Sequence, residues 1–207
     1  MSKGVAIIMS GPSGAGKSTV CHILLENDKN LSFSVSCTTR QPRAGEQNGV
    51  DYHFLSREEF EQRIALGDLL EYAEVHGNYY GTLKSEVLNQ VKQGKSVLID
   101  IDVQGQRLIR GACVDDSELA FASVFVFFAP PSYKELESRL RGRGTEDDES
   151  LSKRLNNAKL ELEAWNEYDY MVINHEPVQA ASEFQAIIQA EKVKVSRVDL
   201  EEAWPHV

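Results

Sequence analysis

The stretch GPSGAGKS, Gly11 to Ser18, constrains the fold of this chain more than any other. It fits the pattern G-x-x-x-x-G-K-[ST]. An apolar, β-type run, GVAIIMS (4–10), precedes it, and STVCHILLEN (18–27) follows with Val20, Ile23 and Leu24 at helical spacing. Strand, glycine loop and helix in that order turn backbone N–H groups inward, because residues without a Cβ let the chain curl and the positive end of the helix adds to the same field. A polyphosphate fits such a cradle. Gly11, Pro12, Ser13, Gly14, Ala15 and Gly16 would line it, with Thr19 just beyond. Lys17 reaches the outer phosphates as a point charge, and the Ser18 hydroxyl is placed to ligate an accompanying magnesium ion.

Further apolar β-type runs at SVLIDI (96–101), ASVFVFFA (122–129) and YMVIN (170–174) are each followed by a helical pattern, which predicts an α/β core with a parallel sheet flanked by helices. A chain of 207 residues can bury one sizeable core with appendages. We read a single domain over 1–207, with core segments at about 1–33, 95–137 and 156–190. Between them lie an inserted subdomain of shorter, polar-alternating pieces at about 34–94 and a mobile, arginine-rich lid at about 138–155. The acidic stretch GACVDDSELAFAS (111–123) reads as a surface loop.

A formal net charge of −10 argues against general attraction to nucleic acid. No apolar run approaches the roughly 18 residues that span a bilayer, and the first residues read as a buried strand rather than an export signal. Three separated cysteines without zinc-ligand spacing suit a reducing cytoplasm.

In so acidic a chain, Arg40 and Arg43 around Pro42 call for an anion. Two planar guanidiniums on a proline-stiffened loop can converge on one terminal phosphate, with phenolic help from Tyr52 and Tyr80, although spacing alone leaves a solvated surface pair as an equal reading. Asp100 and Asp102, at the carboxyl end of a core strand, point to one side and can share the magnesium and substrate region, or make structural salt bridges.

SCTTR (36–40), PRAGE (42–46), NGVDYHF (48–54), GNYYGT (77–82), IDIDVQG (99–105), FAPPS (128–132) and RGRGTEDDES (141–150), in this order after the glycine loop, resemble guanylate kinase over about residues 4–190. The resemblance implies a P-loop core, a GMP-binding insertion and a lid, with magnesium-dependent, in-line phosphoryl transfer from ATP to GMP and also to dGMP. It implies Arg40, Arg43, Tyr52 and Tyr80 on the GMP phosphate, Ser36, Glu71 and Thr82 on guanine, and Asp100 toward GMP. Ser18 and Asp102 would face the magnesium, Asn174 adenine, and Lys17, Arg139, Arg143 and Arg154 the transferred group. A monomer is the family's tendency. The competing expectation is a catalytically weak, guanylate-kinase-like module that binds phosphopeptides through the same arginines. The intact glycine loop and the lid arginines weigh against it.

Overall fold

The computed structural model describes residues 4–142 and 148–197. A five-stranded, all-parallel sheet forms the core, in the order β2-β7-β1-β8-β9. Its strands are β1 (Ala6–Ser10), β2 (Leu31–Phe33), β7 (Ser96–Asp100), β8 (Ser123–Ala129) and β9 (Tyr170–Ile173). The continuous apolar character of β1 follows from burial on both faces. Ile7 and Met9 pack toward α1 (Lys17–Asn27) and α8 (Pro177–Lys192), meeting Val20, Leu24, Phe184 and Ile188. Ala6 and Ile8 pack toward α3 (Lys84–Lys92), α4 (Val103–Asp115) and α5 (Ser117–Ala122), meeting Val87, Val91, Ile109 and Leu119.

The second unit is a four-stranded sheet in the order β4-β3-β6-β5, from β3 (Cys37–Thr38), β4 (His53–Phe54), β5 (Leu69–Val75) and β6 (Asn78–Leu83). It is braced by α2 (Arg57–Leu66), which begins with a reciprocal Ser56–Glu59 capping box and stacks buried Phe60 on Tyr79 at 5.1 Å. Helix α3 lies within the sequence range of the insertion, yet it packs on the main sheet: Val87, Leu88 and Val91 are buried with Ile8 and Ile99. His53 of β4 is tied to Glu86 of α3 at 2.8 Å, which joins the inserted sheet to that helix.

The expected surface loop at 111–123 is instead the end of α4 followed by α5. Asp116 caps α5 by accepting the Leu119 N–H, and Leu119 and Ala122, three apart, drop into the core, so local capping and burial override the acidic composition. At the start of the range read as a lid, the run SRLR (138–141) is the last turn of α6 (Tyr133–Arg141), held by Glu135–Arg139 and Glu137–Arg141 pairs at i,i+4 and by buried Leu136 and Leu140. The chain returns through α7 (Asp148–Glu163) to β9.

Candidate active site

Parallel pairing of β1 with β7 aligns Met9 with Asp100, so the glycine loop and the acidic strand end emerge side by side at the carboxyl edge of the sheet. Gly11 passes so close to β8 that a Cβ there would lie 1.9 Å from the Phe128 carbonyl oxygen, which only glycine permits. Helix α1 then starts at Lys17 with no capping side chain and no acidic residue in its first turn, leaving its first N–H groups for an anion. Ser18 and Thr19 are exposed at that end. Lys17 Nζ donates to the Gly11 carbonyl at 2.6 Å and lies 3.9 Å from Asp100 Oδ1. Burial pushes the Asp100 carboxyl upward, and the Lys17 ammonium opposes that shift.

The arginine loop is held by its own internal bonds. Arg40 makes a two-pronged contact with Glu46, at 2.9 and 3.0 Å, and its guanidinium lies 5.4 Å from the Tyr52 ring centroid. Glu46 also accepts the Arg43 backbone N–H at 2.7 Å. Those bonds, Arg40 first, pull the Glu46 carboxyl down to about 2. Arg43 is exposed, and Tyr52 and Tyr80 meet edge to face, 6.0 Å between centroids. The structure therefore brings Arg40, Tyr52 and Tyr80 together around one loop. Glu46 escaped the sequence reading as a functional residue, although its place three after Arg43 in PRAGE was visible.

Glu71 and Thr82 face each other across the β5–β6 pair, and the Thr82 hydroxyl donates to Glu71 Oε1 at 2.7 Å. Burial raises the Glu71 carboxyl, the Thr82 hydrogen bond opposes this, and Asp102 adds repulsion. Behind Glu71 stands Gly105 of α4, where a Cβ would come within 3.2 Å of Oε2. Nothing in the sequence alone singled out that glycine, because the contact joins residues far apart in the chain. Ser36 is half-buried just before β3, with its carbonyl accepting the His53 N–H.

On the donor side the placement differs from a simple ring of open cations. Arg139 donates to the Ala15 carbonyl at 3.2 Å and to the Asn174 carbonyl at 3.3 Å, with Nε on Glu135. Asn174 is buried and its amide donates to the same Ala15 oxygen at 2.8 Å. Arg154 reaches the loop from α7, donating to Ser13 Oγ at 2.6 Å. Arg143 lies outside the described residues.

For a magnesium ion the donor chemistry fits: Ser18, Asp100 and Asp102 offer hard oxygen ligands near Lys17. One oxygen of exposed Asp102 is committed to capping α4 through the Gly105 N–H at 2.7 Å, which leaves the other for the ion or its waters. Among the described residues no cluster of three or more His, Cys, Asp or Glu could hold a metal by itself.

A protein-family model described as guanylate kinase matches residues 3–191. The chain belongs to the guanylate kinase family. It is thus a kinase, a nucleotide-binding transferase, and its relatives cover nearly its whole length. The guanylate kinase of Clostridium perfringens (strain SM101 / Type A) is 47% identical over 196 residues, covering 95% of this chain and 88% of that protein. That of Fusobacterium nucleatum subsp. nucleatum is 47% identical over 189 residues, covering 91% and 98%. Among solved structures, guanylate kinase from Anaplasma phagocytophilum superposes with a TM-score of 0.72 at 35% identity, covering 98% of this chain and 94% of that one. No helix among the described residues is long and apolar enough to cross a membrane.

Proposed function

We propose that this family member transfers the terminal phosphoryl group of ATP to GMP, and to dGMP more weakly, giving ADP and GDP or dGDP. The observation that carries the choice of acceptor is the Glu71–Thr82 pair. An ionised carboxylate accepts the neighbouring N1–H and 2-amino donors of guanine, whereas adenine presents an acceptor at N1. A hydroxyl from Ser36 suits O6, since the single hydroxyl hydrogen of Thr82 is given to Glu71. A buried site built on such pairing can reject a mismatched base by about 10⁴ to 10⁵.

Arg40 and Arg43, with Tyr52 and Tyr80, hold the acceptor phosphate, and Glu46 fixes the direction of the Arg40 guanidinium. Asp100 lies toward this nucleotide. Residues 11–19 cradle the donor phosphates, and Ser18 with the free oxygen of Asp102 would hold magnesium, which neutralises charge on the phosphate oxygens when bound. The acceptor phosphate is already an anionic nucleophile, so in-line transfer requires no general base. Lys17, Arg143 and Arg154 stabilise the transferred group by charge, and lid closure excludes water as a competing acceptor.

The test is ADP release in a coupled assay with ATP, Mg²⁺ and GMP, dGMP, AMP, UMP or CMP. Strong turnover with GMP, weaker with dGMP and background with the rest is expected. Equal rates with AMP would remove the role given to Glu71, and no turnover with any monophosphate would leave a binding module.

A further inference from the structure

Two donors from different elements converge on a single carbonyl of the phosphate loop. Ala15 O accepts Asn174 Nδ2 at 2.8 Å and Arg139 Nη1 at 3.2 Å, while Arg139 Nη2 also grips the Asn174 carbonyl at 3.3 Å. The clamp is mounted rigidly. The Asn174 N–H is bonded to Ala129 O at the end of β8, and the residue is only 2% exposed. Arg139 is set by Glu135 one turn earlier on α6.

Peptide geometry makes this contact directional. In a trans peptide unit the C=O and N–H point in opposite directions, so holding the Ala15 carbonyl outward drives the Gly16 N–H the other way, into the cradle. Gly16 has φ 96°, a left-handed value at which a glycine-flanked peptide would otherwise rotate readily. A Cβ at Gly16 would stand 2.4 Å from Asn174 Nδ2, so the amide lies directly against the loop. We propose that Asn174 and Arg139 are positioning residues that orient the Ala15–Gly16 peptide toward the donor's phosphates, acting on the polyphosphate irrespective of the base attached to it. This rests on the ATP-dependent reading above, since it concerns how the same loop holds its donor.

A ligand without a base separates this role from adenine recognition. Calorimetry with inorganic tripolyphosphate and Mg²⁺ is compared with ATP, and with GMP as a control for folding. Asn174→Ala is expected to weaken tripolyphosphate and ATP by the same factor, about 10- to 100-fold, the equivalent of one hydrogen bond to a charged group, with GMP affinity unchanged. Loss confined to ATP would make Asn174 an adenine contact, and unchanged binding of both would leave the clamp without a role; either overturns the proposal. Arg139→Met, which keeps Asn174 in place, is expected to weaken tripolyphosphate in the same direction. Because both side chains hold one carbonyl, the double variant should lose less than the product of the single losses. A full product would place Arg139 on the phosphates independently and overturn its half of the clamp. Failure of the wild type to turn over ATP with GMP, alongside these binding results, would remove the proposed function and leave the clamp standing.

Discussion

Replacing Gly105 by alanine should impair recognition of the acceptor base. Gly105 sits in the first turn of α4, where its N–H receives the Asp102 cap, an interaction alanine retains. Its φ is not in the left-handed region, so the backbone accepts a side chain, and a helical Gly→Ala change is worth up to about 1 kcal/mol. For a domain of this size that is at most roughly 2–4 °C in Tm, and crowding of Glu71 and Ile101 by the new methyl works against it. The new Cβ, however, would stand 3.2 Å from Glu71 Oε2, 3.4 Å from Glu71 Cγ and 3.4 Å from Ile101 Cβ. The carboxylate must yield by a few tenths of an ångström, while Thr82 still holds its other oxygen. Misaligning one of its two bonds to guanine, each worth about 1.5–3 kcal/mol, lowers kcat/KM for GMP by about 10- to 100-fold. Differential scanning calorimetry and steady-state kinetics with varied GMP measure the two effects, and KM for ATP serves as a control. A Gly105→Ala protein with unchanged kcat/KM for GMP would refute the placement of Glu71 against the base.

Lys17→Met should lower kcat by about 10² to 10³, the usual scale for losing one cationic or hydrogen-bonding group at developing charge, with circular dichroism unchanged. Arg43→Met should chiefly raise KM for GMP, because Arg43 is exposed and anchors the loop through backbone groups that methionine keeps, its N–H to the Glu46 carboxylate and its carbonyl from the Glu46 N–H; an unchanged KM would count against its phosphate role. Glu46 has a folded-state pKa lowered from 4.5 to about 2, so its contribution is complete above about 4.5 and is lost as pH falls toward 2. Acid unfolding followed by fluorescence should therefore be less steep across that window in Glu46→Gln, by a modest amount because water screens the pair, and an identical acid limb in the two proteins would contradict it.

The sequence alone was enough for the features that depend on local pattern. Apolar β-type runs named four of the five core strands, β1, β7, β8 and β9, but not the three-residue β2, which is too short to stand out; GPSGAGKS between a strand and a helix named the donor loop, because curling a backbone around phosphate needs glycine at set positions. PRAGE showed a stiffened pair of arginines for the same kind of reason. Tertiary structure decided what those groups touch. The helical character of 111–123 came from Leu119 and Ala122 finding the core. Glu46 became the partner of Arg40 when the loop folded back, Gly105 became the wall behind Glu71, and Arg139 and Asn174, 35 residues apart, met on the Ala15 carbonyl. Periodicity records which way a side chain faces its own element. It carries no record of which distant backbone atom will stand opposite, since that depends on the packing of whole elements.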